Sequence, residues 1–486
     1  MINNETAILE QNNCTLVDIP LVVDLDGTLL HSDLLYEGAI IFLRKNPLNF
    51  FLLLFWLLKG KLYLKNQIFN KVQLPYDLLP WNRQLVGFLK TESLKERKII
   101  LATASVIGHT SEILKAFPFF DEICGTDTVN LKGKNKLKLL LHKFGKSNFD
   151  YIGNSNSDLI IFASARYSYL VSSSKTLQKK TKKVSELKHT WKHKRTTLRE
   201  YLKAIRAYQW VKNVLVFIPL ITSHSFYSKS FDLEAVSAFF AFSFAASAGY
   251  VINDLFDLNS DRSHPRKRFR SFASGRLSIP FGILLTALLL SAAIFISSQL
   301  NLLFSIVLLG YFIISFSYSL HLKKLVLYDI FILALLYSIR IIGGGMANNI
   351  TISFWLITFS TFLFLSLAFV KRYSELLKVN DTTGLKLRGR EYNNGDLQLL
   401  QIMGIVSGFL SVVVFSLYIN SPEVLQLYSS PKILWSVSFL LLFWTSRVWL
   451  KANRGEMTDD PIIFALKDRS SYIIFLIIGL VMLISI

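Results

Sequence analysis

Past a long apolar run the chain reads Asn253-Asp254-Leu-Phe-Asp257-Leu-Asn-Ser-Asp261-Arg-Ser-His264-Pro-Arg-Lys267-Arg-Phe-Arg270. If the helix that ends this run continues, Asn253, Asp257 and Asp261 recur every four residues and Asp254 precedes Asp257 by three, so the carboxylates share one face. Three like charges so placed repel one another. They become favourable when hard divalent cations sit among them, and magnesium, which bridges carboxylates to substrate phosphates, is the expected cofactor. Lys267, Arg268 and Arg270 follow closely enough to meet the remaining phosphate charge. Acidic residues at the mouth of an apolar span are costly unless they serve a function.

These residues need a scaffold, and the composition indicates which kind. Hydrophobic residues are 52% of the 486, and 39 of them are Phe. The apolar residues gather into long runs after about residue 205, which is a membrane signature. Nine apolar spans are expected, near 211–224, 232–253, 281–298, 301–319, 325–346, 352–371, 398–418, 432–450 and 471–486. The formal charge of +21 gathers between these runs, so membrane lipid and phosphorylated substrates are the expected partners and nucleic acid is not. Basic loops after the second, fourth, sixth and eighth spans place those loops and the N-terminal part on the cytoplasmic side, in the inner (plasma) membrane of a bacterium. Cys14 and Cys124 imply no disulfide framework.

The first 171 residues read differently. Short apolar runs at 21–23, 99–102 and 149–152 alternate with helical stretches, as buried parallel strands of an α/β domain do. The run from Phe50 to Leu58, preceded by Arg44, Lys45 and Pro47, is too short to span a bilayer easily and reads as a helix resting on the membrane. From Ser172 to Lys203 there are eleven Lys or Arg against two acidic residues, which suits a basic linker near an anionic surface. The expected organisation is therefore an α/β domain over 1–171, a linker over 172–203 and an all-α polytopic bundle over 204–486.

The acidic stretch resembles the Asn-Asp-x-x-Asp-x-x-x-Asp signature of the UbiA superfamily of intramembrane prenyltransferases. The likeness covers roughly residues 200–486, span count included. Tyr208-Gln-Trp-Val-Lys212-Asn213, His264-Pro-Arg-Lys267, Ala273-Ser-Gly-Arg276 and Arg454-Gly-Glu-Met-Thr-Asp-Asp460-Pro resemble the branch that makes polyprenyl-phosphoryl phosphoribose. In that branch the donor is phosphoribosyl diphosphate and the acceptor a polyprenyl phosphate. Ser271 stands where the family usually has proline, a departure that loosens the turn. The resemblance implies Asn253, Asp254, Asp257 and Asp261 as metal ligands, and Lys212, Asn213, Lys267, Arg270, Arg276, Lys371, Arg372, Glu375, Arg390 and Asp460 as substrate-binding residues. Aromatic-prenylating relatives carry a second aspartate-rich motif after span six. Here Lys371 to Asp396 holds six basic residues, Lys386 and Arg388 among them, against four acidic ones, which suits two phosphorylated substrates.

Val22-Val-Asp24-Leu-Asp26-Gly-Thr28 resembles the first motif of haloacid dehalogenase-like phosphatases, with Thr103, Lys136 (or Lys132 or Lys134) and Gly153-Asn-Ser-Asn-Ser-Asp158 as the later stations. The resemblance implies a Rossmann-like domain with a cap near 33–90. It also implies Asp24 as nucleophile, Asp26 as general acid, and Asp24, Asp26 and Asp158 as the magnesium site. The combined expectation is phosphoribosyl transfer to a polyprenyl phosphate followed by dephosphorylation of the lipid product. Two alternatives stand beside it: transfer of an isoprenyl chain to an aromatic or tetrapyrrole acceptor, and a non-enzymatic lipid-binding or transport protein. Chain length of the lipid and oligomeric state, a homo-oligomer included, are left open.

Overall fold

The structure is a computed structural model that describes residues 19–106, 111–126, 131, 133–192, 196–223, 233–383, 390–457 and 460–485. The chain forms two compact units, Met1–Ala204 with Asp254–Leu284, and Ile205–Asn253 with Leu285–Ile486.

Among the described residues the first unit is built on six parallel strands: β1 (Leu21–Asp24), β2 (Ile99–Val106), β3 (Glu122–Thr126), β4 (Asp150–Gly153), β5 (Tyr167–Val171) and β6 (Glu186–Trp191). Their order is β3-β2-β1-β4-β5-β6, and every neighbouring pair runs parallel. Alternation along the strands sorts the core. Leu21, Val23, Leu101 and Ile152 pack on one face, while Val22, Ile100, Tyr151 and Leu170 pack on the other. Both faces are covered, which is why β1 reads as an unbroken apolar run. The strand order reverses between β1 and β4, and the crevice beyond the carboxyl ends of those strands is where such sheets bind ligands.

Two expectations change here. The stretch expected to be a linker supplies helix Lys175–Val184 and strand β6, paired to β5 from Tyr167↔Glu186 to Val171↔Trp191. Its basic composition hid a strand whose ladder partner, β5, lies outside the stretch itself. The expected cap also shrinks. Helices α1 (Leu34–Lys45), α2 (Asn49–Leu58) and α3 (Lys61–Lys71) form a small cluster around Phe42, Trp56, Ile68 and Val72, but α4 (Arg83–Ser93) places Leu85 and Leu89 in the sheet's own core.

The second unit is helical, and among the described residues seven helices are long and apolar enough to cross a membrane. They are α5 (Leu233–Phe256), α7 (Ile279–Ser298), α8 (Leu302–Leu320), α9 (Tyr328–Ala347), α10 (Phe354–Thr383), α11 (Asp396–Ile419) and α12 (Trp435–Asn453); the short α6 (Leu258–Ser263), between α5 and α7, belongs to the first unit. Nineteen residues, the shortest of the seven, reach about 28 Å at 1.5 Å per residue, close to the thickness of a hydrocarbon core. The first and last of the nine expected spans are shorter elements. The first is a 3-10 helix, Ala207–Phe217, followed by Ile218–Thr222 with Pro219 in its first turn. Its Lys212 and Asn213 are buried against polar partners, so this segment is held by protein rather than by lipid. The last is the 17-residue α13 (Arg469–Ser485).

Close approach in this unit depends on missing side chains. A Cβ at Gly344 would lie 2.0 Å from the Val216 carbonyl oxygen, so α9 touches the backbone of the 3-10 segment directly. At Gly404 a Cβ would meet the Trp449 ring at 2.2 Å.

Candidate active sites

The acidic stretch does not remain one helix. Helix α5 ends at Phe256, Asp257 leaves helical geometry (φ −93°, ψ 11°), and α6 starts at Leu258. The break redistributes the carboxylates. Asp254 and Asp261, 5% and 2% exposed, both face the Arg270 guanidinium, with Nη1 3.1 Å from Asp254 Oδ1 and 2.8 Å from Asp261 Oδ2. Asp257 turns instead to Arg44 of α1, at 3.4 Å. Burial pushes the Asp261 carboxyl up from the usual carboxylate range, against the pull of Arg270. Among the described residues no three acidic, His or Cys side chains are grouped closely enough to hold a metal by themselves. Two carboxylates converging on one cation nevertheless fit magnesium, which needs only one or two carboxylates when substrate phosphates and water complete its shell.

The other expected residues of this region divide. Lys267 is exposed on the turn Lys267–Phe269. Arg276 is held at 2.5 Å by Glu200 Oε1, and it also donates to the Phe269 carbonyl, so it closes the 269–276 turn. In the helical unit Asn253 accepts from Lys323 Nζ at 3.4 Å.

At the crevice of the sheet the expected residues come together. Asp24 ends β1, and Lys136 Nζ lies 2.5 Å from its Oδ1 while Thr28 Oγ1 donates to its Oδ2 at 3.1 Å. Lys136 is 4% exposed and also donates to the Ala102 carbonyl, next to the buried Thr103 of β2. Asp158 follows β4. Its Oδ2 accepts from the Asn154 and Ser155 amides and from the Ser155 hydroxyl, which leaves Oδ1 with only the distant Tyr151 hydroxyl at 3.4 Å. Burial first, and the neighbouring Asp158 charge, push the Asp24 carboxyl up, while Lys136 opposes them. Asp26 accepts from the Leu34 amide at 3.1 Å, yet burial and the Asp33 charge push it up to about 8. Gly27, at φ +77°, is required here because a Cβ would strike the Asn154 side chain at 2.0 Å. Asp158, whose Oδ1 has only that long contact among the described residues, and the neighbouring Asp24 fit a divalent cation as well.

In the helical unit a buried polar cluster gathers around Lys212, which ion-pairs with Asp460. Asp460 also caps helix Pro461–Ala465, accepting from the Ile462 amide at 3.1 Å. Lys212 and Lys371 hold its carboxyl below the usual range despite burial. Asn213 donates to Ser243 at 2.9 Å and accepts from Arg340 Nε at 2.7 Å. Arg372 is wholly buried, 2.5 Å from Asp329, and both it and Arg390 pair with Glu375. These last three, expected to bind substrate, form an ion-pair network with Asp329, to which Tyr392 donates at 2.6 Å. Lys386, Arg388 and Asp459 lie outside the described residues. Beside the Lys212 cluster opens an apolar cavity of about 1050 Å³ whose walls include Leu215, Ile218, Phe359, Phe415 and Trp444.

Three contributors escaped the sequence reading. Arg340 was the detectable one, because a lone cation inside an apolar span is a functional signal by default. Asp329, at the start of the same helix, carries no signal until its partner Arg372 is known. Lys65 of α3 donates to the Ala104 carbonyl at 2.7 Å and its charge acts on Asp26, a placement that nothing in its local sequence announces.

The UbiA prenyltransferase family matches this chain over residues 216–459. The chain belongs to that family. Membership and seven long apolar helices make it an integral membrane protein. The UbiA match contains the whole Asn253 to Arg270 stretch and excludes the parallel sheet. The protein y4nM of Sinorhizobium fredii is 32% identical over 474 residues, 97% of this chain and 92% of its own, so that likeness runs through both halves. The decaprenyl-phosphate phosphoribosyltransferase of Mycolicibacterium smegmatis is 32% identical over 285 residues, 57% of this chain and 88% of its own. Among solved structures, a UbiA homolog from Archaeoglobus fulgidus bound to GPP and Mg2+ is 16% identical, covering 59% of this chain and 100% of its own at a TM-score of 0.46.

Proposed function

We propose that this UbiA family member transfers a 5-phosphoribosyl group from phosphoribosyl diphosphate to a polyprenyl phosphate, and that its N-terminal domain removes the 5-phosphate from the lipid product. The observation that carries the first step is the convergence of Asp254 and Asp261 on the Arg270 cation within the family-matched region. The likeness to the M. smegmatis phosphoribosyltransferase supports the donor and acceptor classes. The apolar cavity supports a long isoprenoid acceptor, because such a chain needs a dry, shaped path.

In the transfer step an oxygen of the lipid phosphate attacks C1 of the ribose, and the bond from C1 to the diphosphate oxygen breaks. Asp254 and Asp261 would hold magnesium, which supplies charge neutralisation for the departing diphosphate. Lys267 and Arg270 meet the charge that remains. Lys212 and Lys371 add positive charge within the helical unit for a second phosphate, with Asp460 setting the position of Lys212. Catalysis is then electrostatic positioning, with no covalent intermediate on the protein. The test is incubation of membranes holding the full chain with labelled phosphoribosyl diphosphate and polyprenyl phosphate. Labelled lipid is expected. Its absence, together with consumption of an isoprenyl diphosphate, would reverse the assignment in favour of an aromatic or tetrapyrrole acceptor.

For the second step, Asp24 attacks the phosphorus of the lipid's 5-phosphate, Asp26 protonates the leaving ribose oxygen, and water releases phosphate from Asp24. Lys136 balances the charge on Asp24. Helix α2 supports a lipid-linked substrate. Its ten residues reach only about 15 Å, half a bilayer, yet Phe51 and Leu58 are 68% and 87% exposed and only Trp56 is buried. No acidic residue occurs between Glu37 and Asp77, while Arg44, Lys45, Lys59, Lys61, Lys65 and Lys71 do, a pattern suited to an anionic lipid surface.

A pH dependence follows from Asp26. The acid must be protonated to act, and its carboxyl sits at about 8. Dephosphorylation should therefore be insensitive to this group below about pH 8 and fall roughly tenfold per unit above it. The rate profile of the wild type against Asp26→Asn checks this, since the same alkaline limb in the variant would assign the limb elsewhere.

A further inference from the structure

Helix α1 has no part in either reaction, yet it touches the residues of both sites in the first unit. Its first amide, Leu34 N, donates to Asp26 Oδ1 at 3.1 Å, and Asp33 caps it through the Leu35 amide at 2.8 Å. One turn on stands Glu37, 1% exposed. Its two carboxylate oxygens accept from Arg262, Nη1 to Oε2 at 3.0 Å and Nη2 to Oε1 at 2.7 Å. The third guanidinium edge of Arg262 donates from Nε to the Ala273 carbonyl at 2.9 Å. Seven residues after Glu37, on the same face of α1, Arg44 lies 3.4 Å from Asp257.

The arrangement is specific in kind. Arg262 directly follows Asp261, so the bidentate pair fixes the backbone that presents that carboxylate. Through Ala273 the same guanidinium ties the acidic stretch to the turn that carries Arg270. A buried charge pair is weak evidence for net stability, because desolvation offsets most of the attraction. Its contribution is directional: only one placement of the acidic segment satisfies Glu37, Arg262 and Ala273 together. A helix of the N-terminal domain thus holds both ends of the segment from Asp257 to Arg262.

We propose that α1 is the positioning element of the transferase metal site, with Glu37 setting Asp261 through Arg262 and Arg44 setting Asp257. This rests on reading Asp254 and Asp261 as magnesium ligands, and it makes the N-terminal domain a structural requirement of the transfer step as well as the seat of a second reaction. Glu37 and Arg262 are positioning residues and touch no substrate.

The test uses the full chain in lipid nanodiscs. Glu37→Gln keeps the shape and one hydrogen bond but removes the charge. It should raise the magnesium concentration for half-maximal transfer about tenfold, the low end of what loss of a ligand-supporting partner costs, while the KM for polyprenyl phosphate stays within about twofold. Hydrogen exchange in metal-free protein should quicken over residues 257–276 and not in strands β1 and β4. The swapped pair Glu37→Arg with Arg262→Glu should recover most of the protection, and Arg44→Gln, at a half-exposed residue that leaves the fold intact, should loosen the segment less. Unchanged exchange over 257–276 in Glu37→Gln would overturn the positioning role whether or not transfer is observed. Quickened exchange with an unchanged magnesium requirement would overturn its link to the metal site. Failure of the wild type to transfer any phosphoribosyl group would instead refute the function proposed above, and the exchange data would still decide the role of Glu37.

Discussion

Asp254→Asn is expected to lower phosphoribosyl transfer by about 10³-fold or more, with the protein still folded and inserted. The two parts of that expectation have separate grounds. Transfer should collapse because one of the two carboxylates converging on the Arg270 position among the described residues is lost, and about 4 kcal/mol of barrier is a thousandfold in rate. The fold should survive because Arg270 retains Asp261 at 2.8 Å, so no buried charge is stranded. Asp261→Asn should behave alike. Asp257→Asn should cost distinctly less, since Asp257 faces Arg44 across the helix break rather than Arg270. Labelled phosphoribosyl diphosphate and polyprenyl phosphate supplied to membranes of each variant measure all three. Equal losses at the three positions would show that the acidic residues act as one set; transfer within tenfold of wild type for Asp254→Asn would remove it from the site.

The second large effect belongs to the sheet domain. Asp24→Asn should abolish dephosphorylation, by at least about 10³-fold, and cause the phosphorylated ribosyl lipid to accumulate while transfer continues. The amide cannot attack phosphorus, and it also leaves the buried Lys136 without its carboxylate partner. Chromatography of lipid products from purified protein, wild type against variant, reads this directly. An unchanged yield of dephosphorylated lipid would place that reaction outside this domain. If neither protein dephosphorylates the lipid but both hydrolyse a soluble phosphomonoester, the domain is a phosphatase with another substrate.

Some features could be read locally because their cause is local. Seven runs of nineteen or more residues with few charges had to be helices once lipid or protein denied their backbones water. The aspartates at Asp24 and Asp26 follow a short apolar run whose fate as a buried strand its own residues decide. The acidic stretch from Asn253 to Asp261 marks itself, since such charge at the end of an apolar run is costly without a use.

What escaped the linear reading depends on partners outside each local stretch. Strand β6 looked like a linker because its alternation is weak and its ladder comes from β5. The helix break at Asp257 turned one expected acidic face into an Asp254 and Asp261 pair plus a separate Asp257, and the partners that receive them are Arg270 and Arg44. Arg372, Arg390 and Glu375, expected as substrate-binding residues, pair with each other and with Asp329 across some sixty residues of sequence. Residue type and period state which charges exist and which stretches are buried. Which opposite charges meet is settled by packing, because a buried ion finds its lowest free energy in whichever partner the folded backbone delivers. That is how Glu37, unremarkable in the sequence, came to hold the arginine beside Asp261.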